Sequence, residues 1–159
     1  MNDGPIVDQA RAEDREALVD LLTRQLVEHD LPADHAGVAR AVDGILEDGR
    51  RGFLQVARAG HDVVGVAYVA LHWSLEHGGP SCWLEELYVL PDRRCRGLGV
   101  ALLQAACTRA RELGCLVMDL EVTADHARAE HLYEREGFRE LGRRRWARGL
   151  AAPGPGEAR

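Results

Sequence analysis

The sequence has no lysine and a single asparagine, Asn2; all twenty basic residues are arginine. A chain without lysine has no side-chain amine of its own to acylate, although the shortage of asparagine makes a general compositional bias the simpler explanation. Cysteine is scarce, and Cys82, Cys95, Cys107 and Cys115 include no C-x-x-C pair. That spacing argues against a bound metal and for reduced thiols. No stretch approaches the ~20 apolar residues that cross a bilayer, and the N-terminus lacks a basic-then-apolar signal pattern. The expectation is a cytoplasmic protein with no membrane partner. The formal charge of −6 lacks the basic surplus of a nucleic-acid binder. The G-K-S/T of a nucleoside-triphosphate loop is also absent.

The length of 159 residues suits one domain with a sizeable core. Residues 1–150 are expected to form it, and "AAPGPGEAR" (151–159), without apolar residues to bury, is expected to be a disordered tail. Charge is uneven. Residues 1–80 carry 14 acids against 7 arginines, and residues 81–159 carry 12 against 13. This asymmetry suits a cationic substrate meeting an anionic co-substrate, or is simply the charge of a solvated surface.

Periodicity predicts a short strand at "PIVDQA" and a helix over "RAEDREALVDLLTRQLVEH", with Leu18, Leu21, Leu22 and Leu26 on one face. A second helix carries Val38, Ala41, Val42, Ile45 and Leu46. "GFLQVARAG" and "DVVGVAYVAL" form a hairpin, "HWSLEHGGP" a loop and "SCWLEELYVL" a strand. A helix runs from Gly97 to about Leu113. "CLVMDLEV" reads as a buried parallel strand. Another helix starts at an Asp125 cap and stops at Gly137, and "FREL" and "RRRWARGL" are terminal strands. The resulting order, β-α-α-β-β-β-α-β-α-β-β, predicts a mixed sheet of about six or seven strands with helices on both faces. The final strands are expected to allow a homodimer.

The stretch "LYVLPDRRCRGLGVALL" (87–103) places three arginines and two glycines between a strand and a helix. A helix N-terminus has unpaired N–H groups and a partial positive charge, and glycines let an anion approach them. A dinucleotide site would need a third glycine where Leu102 stands, and its first glycine at the strand end, whereas Gly97 comes later. Asp119 does lie near the distance of a ribose-binding acid.

Arg94-Cys95-Arg96-Gly97-Leu98-Gly99 resembles the Q/R-x-x-G-x-G/A pyrophosphate loop of the GNAT acetyltransferase superfamily. "AEHLYEREGF" (130–138 and its preceding alanine) resembles that family's second motif. The resemblance extends over roughly residues 5–150. It implies an α/β GNAT fold in which acetyl-CoA lies in a splay between the strand end at Leu87 to Val89 and "CLVMDLEV". Backbone N–H groups of Arg94, Cys95, Arg96, Gly97, Leu98, Gly99 and Val100 would hold the pyrophosphate, and the Val89 N–H would polarise the thioester carbonyl. Arg93, Arg94 and Arg96 would add charge. Two positions depart from the family pattern. Cys95 replaces the usual glycine and, between arginines, is a candidate reactive thiol. His126 stands where an asparagine commonly touches the cofactor.

Acetyl transfer to an amine needs a base for the ammonium, a donor for the oxyanion and a proton for the departing thiolate. The resemblance assigns the last role to Tyr133. Adjacent Glu86 and Glu85, on an otherwise apolar strand that looks like the "EDLYV" strand of small-amine acetyltransferases, are candidates for base and substrate attraction, Glu86 first. By strand alternation, only one of them should face a given cleft. His72 and His77 are weaker candidates, and Trp73 is a candidate aromatic wall for a cation. The function expected is acetyl-CoA-dependent N-acetylation of a small cationic amine in a ternary complex, without a metal. The alternatives are a protein N-terminal or lysine acetyltransferase and a non-catalytic acyl-CoA sensor.

Overall fold

The strand sequences GFLQVARA and DVVGVAYVALHWS are apolar at both odd and even positions, so both faces of the sheet they form must be covered. A computed structural model describes residues 6–123 and 126–150. The sheet has five strands in the order β1 (Ile6–Gln9), β2 (Gly52–Ala59), β3 (Asp62–Ser74), β4 (Gly79–Val89) and β5 (Met118–Leu120). The first four are antiparallel neighbours, and β4 and β5 are parallel.

Strand parity decides what covers each face. Leu54 and Val56 of β2, Val66 of β3 and Tyr88 of β4 pack with Leu18, Val19 and Leu21 of α1 (Arg15–Glu28) and Val42 of α2 (His35–Glu47). The opposite face takes α3 (Leu98–Glu112). Its Leu102, Leu103 and Ala106 are fully buried. Gly65 permits this approach: a Cβ there would stand 3.1 Å from Leu102 Cδ1 and 3.2 Å from Val89 Cγ2. Each fully buried aliphatic side chain contributes roughly 1.5–3 kcal/mol, so the two layers fix α1 and α3 on opposite sides of β4.

The chain forms two compact units, Met1–Thr123 and Ala124–Arg159. Within the second, α4 (Ala127–Arg135) ends at Gly137, whose φ of +91° turns the chain back. The Phe138 N–H then donates to the Tyr133 carbonyl at 2.9 Å, and the two rings meet edge-on at 5.7 Å. The "YEREGF" motif is thus a local helix stop locked by an aromatic pair.

Three expectations are corrected. The sheet has five strands among the described residues, because 139–150 form none. Leu141, Trp146 and Leu150 there are exposed; a strand holds only where a neighbouring edge takes its backbone bonds and its apolar side chains find cover. β5 is only three residues long and lies at the end of the described sheet, not inside it, since its ladder with β4 stops at Leu84. "HWSLEHGGP" is mostly strand: His72 pairs with Ser81 and Trp73 with Pro80, leaving a short turn whose Gly78 takes φ +76°. Cross-strand pairing carried β3 and β4 further than local pattern indicated. The expected Asp125 cap and the 151–159 tail lie outside the described residues.

Candidate active site

A bulge breaks the alternation expected from sequence at Glu85 and Glu86. Tyr68 pairs with Glu86 and Val69 with Leu84, so Glu85 is the extra residue of a bulge. Leu84 shares the α3 face with Val69, and Glu86 shares the α1 face with Tyr68. The inserted Glu85 is exposed and lies near enough to Glu86 and Tyr68 for its charge to reach both. Its negative charge acts on both neighbours. Burial, then Glu85, pushes the Glu86 carboxyl up to about 7, while a hydrogen bond from Gln25 opposes the rise. Burial and Glu85 likewise raise the Tyr68 phenol. Glu86 is thus a carboxyl able to exchange a proton near neutral pH, beside an exposed acid that stays available to a cation.

Beyond the bulge, β4 has an open edge. The Leu90 N–H donates to the Val64 carbonyl at 3.0 Å. Antiparallel alternation therefore turns the N–H and C=O of Val89, and of Leu87 before it, to the opposite side. β5 pairs there only with Cys82, Trp83 and Leu84, so the ladder between the described strands ends at Leu84. An extended polar chain would find backbone partners on Leu87 and Val89.

This edge leads into a turn with two left-handed residues. Pro91–Arg93 form one 3₁₀ turn, Cys95 takes φ +62° and Gly97 φ +77°. Left-handed residues in such a turn let successive N–H groups point to one concave side. Ala101 is the first residue of α3 to donate back along the chain, to the Gly97 carbonyl at 3.0 Å. Among the described residues, the N–H groups of Arg96, Gly97, Leu98, Gly99 and Val100 donate to no backbone carbonyl. The Arg94 N–H, by contrast, closes the 3₁₀ turn on the Pro91 carbonyl.

The three arginines differ. Arg93 pairs with Asp92 at 3.4 Å. Arg94 turns inward, donating from Nε to the Val89 carbonyl at 2.9 Å and from Nη2 to Glu28 at 2.7 Å, with its guanidinium carbon 5.4 Å from the Tyr88 ring centre. The Tyr88 hydroxyl also donates to Glu28, at 3.0 Å. Burial alone would raise the Glu28 carboxyl, but the bonds from Arg94 and Tyr88 outweigh it and hold it below the usual range. Arg96 is exposed and has no carboxylate partner among the described residues.

Glu85, Glu86, Leu87, Val89 and the loop from Arg94 to Val100 therefore come together along β4 and the start of α3. His72 and Trp73 do not join them. His72 is four residues from Tyr68 along β3, about 13 Å at strand rise. Trp73 is exposed, and its parity puts it on the face opposite Glu86. His77 lies in the turn, its N–H bonded to Ser74 Oγ. Cys95 is exposed, whereas Cys82 is buried and its thiol is pushed up to about 12 by burial and then by Cys115. Tyr133 lies on α4, and His126 precedes that helix, its carbonyl accepting from Ala129 and Glu130.

Gln25, Glu28 and Tyr88 were not expected. Gln25 carried a signal: it follows Leu18 by seven residues and Leu21 by four, so a polar group sits on the apolar stripe of α1. Glu28 continues that stripe by one turn. Tyr88 stands two positions after Glu86 and Glu28 three after Gln25, so helix and strand meet as matched pairs. Among the described residues, no group of three or more His, Cys, Asp or Glu side chains is placed to hold a metal ion, and no helix is long and apolar enough to cross a membrane.

Comparison with known proteins bears on the family and the fold. The chain is 41% identical over 73 residues to mycothiol acetyltransferase of Propionibacterium freudenreichii subsp. shermanii, a match covering 44% of this chain and 23% of that one. It is 44% identical over 72 residues to the protein of that name from Clavibacter michiganensis subsp. michiganensis, covering 43% and 22%. These matches thus span under a quarter of the relatives' length. An integron cassette protein from the mobile metagenome of Cole Harbour Salt Marsh superposes with a TM-score of 0.82 at 28% identity, covering 92% of this chain and 91% of that one. The aminoglycoside N-acetyltransferase AAC(6')-Iy in complex with CoA shares the fold, with a TM-score of 0.79 at 20% identity, covering 95% and 99%. The family model of the GNAT acetyltransferases matches residues 15–138, taking in α1, the bulged β4, the arginine–glycine turn and the "YEREGF" helix stop, and the protein belongs to that family.

Proposed function

We propose that the protein transfers acetyl from acetyl-CoA to the amine of a small cationic molecule. The observation that carries this reading is the pair of adjacent carboxylates at the β4 bulge, Glu85 and Glu86, beside the stretch of β4 that has no strand partner on its β5 side among the described residues, and beside the N–H-lined turn. Fixed N–H groups from Arg96 to Val100, the partial charge of the α3 N-terminus and the Arg96 guanidinium suit a pyrophosphate. Leu87 and Val89 offer backbone bonds to an extended pantetheine arm.

In this reading Glu85 attracts the ammonium and Glu86 accepts its proton, directly or through water. The neutral nitrogen attacks the thioester carbonyl carbon while the Val89 N–H donates to the developing oxyanion. The carbon–sulfur bond breaks, the Tyr133 hydroxyl, assigned by the motif, supplies a proton to the thiolate, and the second proton shed by the attacking nitrogen, passed through water, restores that hydroxyl. The products are an amide and free coenzyme A. A carboxyl with a pKa near 7 suits the base, because it is half ionised where the amine arrives protonated. The names of the relatives, mycothiol and aminoglycoside acetyltransferases, favour a small acceptor over a protein lysine or N-terminus.

Measured free-thiol release from acetyl-CoA across a panel of polyamines, aminoglycosides, amino sugars and N-terminal peptides tests the reading. Amine-dependent release with a small cation is expected. Coenzyme A binding without release for any amine would instead favour an acyl-CoA sensor.

A further inference from the structure

We propose that Gln25 is a positioning residue for Glu86, its side-chain amide turning over as the carboxyl gains and loses a proton. The inference rests on the reading of Glu86 as the base. Gln25 is only 7% exposed, and its Nε2 donates to Glu86 Oε2. Its Oε1 is buried and, among the described residues, meets no hydrogen-bond partner. A glutamine bonded at both ends would be locked. This one is anchored through Glu86 alone, so its orientation follows the charge of that carboxyl.

An amide offers donors at one end and acceptors at the other. An ionised Glu86 takes the donor end, as found. A protonated Glu86 offers an O–H, which the Oε1 end accepts after a half-turn of the terminal torsion, where the energy profile is broad and roughly two-fold. Each protonation state then has a bonded partner in a place where an unpaired polar group is costly. The proton moves from the substrate ammonium to Glu86, and the amide turns without gaining or losing one.

Few other charges reach this pair. Glu85 and Tyr88 lie on β4 itself and Tyr68 opposite on β3. On α1, Arg24 is exposed and Glu28 is held by Tyr88 and Arg94. The charged residues of α2, Arg40, Asp43 and Glu47, are exposed, and Asp43 is bound by Arg15.

The test is a carbon-13 and nitrogen-15 NMR titration of the free full-length protein, which needs no substrate. In the wild type, the Gln25 side-chain amide signals are expected to shift with the same midpoint as the Glu86 carboxyl, near 7. In Gln25→Met, of similar volume but without the amide, the Glu86 midpoint is expected to rise by about one unit, because the charge-assisted bond lost from the carboxylate is stronger than the neutral bond lost from the acid. In kinetics with an accepted amine, that rise costs roughly tenfold in rate at pH 6 and nothing well above both midpoints. Amide signals that ignore the Glu86 titration overturn the proposal, as does an unchanged midpoint in Gln25→Met. Should Gln25→Met fail to fold, the wild-type titration decides alone. A Glu86→Gln enzyme that keeps the wild-type rate profile removes Glu86 as the base, and does so separately from these spectra.

Discussion

The guanidinium of Arg94 meets the carboxylate of Glu28 at 2.7 Å, joining the arginine–glycine turn to the last residue of α1. The same side chain holds the Val89 carbonyl, so a single fork ties the β4 edge, the turn and α1. Replacing Arg94 by alanine is expected to weaken coenzyme A about tenfold, close to the worth of one charged hydrogen bond. Lysine should recover only part of this, lacking the planar fork. Calorimetry with coenzyme A, alongside hydrogen exchange at residues 95–100, checks it. Unchanged affinity and protection would show that the turn is held without the clamp.

Cys95 occupies a left-handed conformation, φ +62°, that costs a non-glycine residue of the order of 1 kcal/mol. Cys95→Gly should raise stability by up to about 1 kcal/mol, partly offset by the greater freedom of glycine in the unfolded chain. That is a few degrees in Tm for a chain of this size. Coenzyme A affinity should not fall, since the turn needs backbone and not the thiol. A lower Tm would contradict the strain argument.

Glu86→Gln is expected to lower turnover by about 10²-fold or more if the base is lost, and to stabilise the fold. The Glu86 carboxyl is raised from 4.5 to about 7 by burial and Glu85. The stability linked to its proton is therefore complete below pH 4.5 and is lost as pH rises through 7. The variant should match the wild type in Tm near pH 4 and exceed it at pH 8, by ~1–2 kcal/mol because the group is partly wet. Thermal unfolding at the two pH values tests this.

Asp14 supports the entry to α1. It accepts from Arg58 at 2.8 and 2.9 Å and from the Arg11 N–H at 2.8 Å. The Arg58 bond is the main force holding its carboxyl below 3.8. Asp14→Ala should cost about 3 kcal/mol by leaving Arg58 half-paired. A depressed carboxyl contributes stability above its unfolded pKa and loses it as pH falls through the folded one. The gap between variant and wild type should therefore narrow in acid below about 3.8. A pH-independent gap would assign the loss to packing alone.

Tyr133→Phe keeps the ring that meets Phe138 edge-on and removes only the hydroxyl. Turnover is expected to fall roughly 10²-fold with little change in KM, measured by thiol release with an accepted amine. Full activity would remove Tyr133 from the mechanism.

Much of this architecture was legible in local pattern. The two leucine- and valine-striped helices, the β2–β3 hairpin and the strand–turn–helix around Gly97 follow from periodicity and punctuation. The terminal strands did not form, because an arginine-rich segment shows whether it is a strand only when an edge and a cover are present. The partnership of Arg94 was equally hidden, since one of three neighbouring arginines turns inward only if Glu28 and Tyr88 are brought to it across the fold.

The sequence by itself determined the chemistry available: adjacent acids on an apolar strand, a turn of arginine and glycine before a helix, and a tyrosine just before a glycine stop. These are short-range features, encoded by residues a few positions apart. Tertiary structure alone decided that a bulge separates the two acids from strict alternation and that Gln25 meets Glu86. A bulge is defined by the register of two strands, and a helix–strand contact by packing across 61 residues of chain, and neither is written in any local stretch.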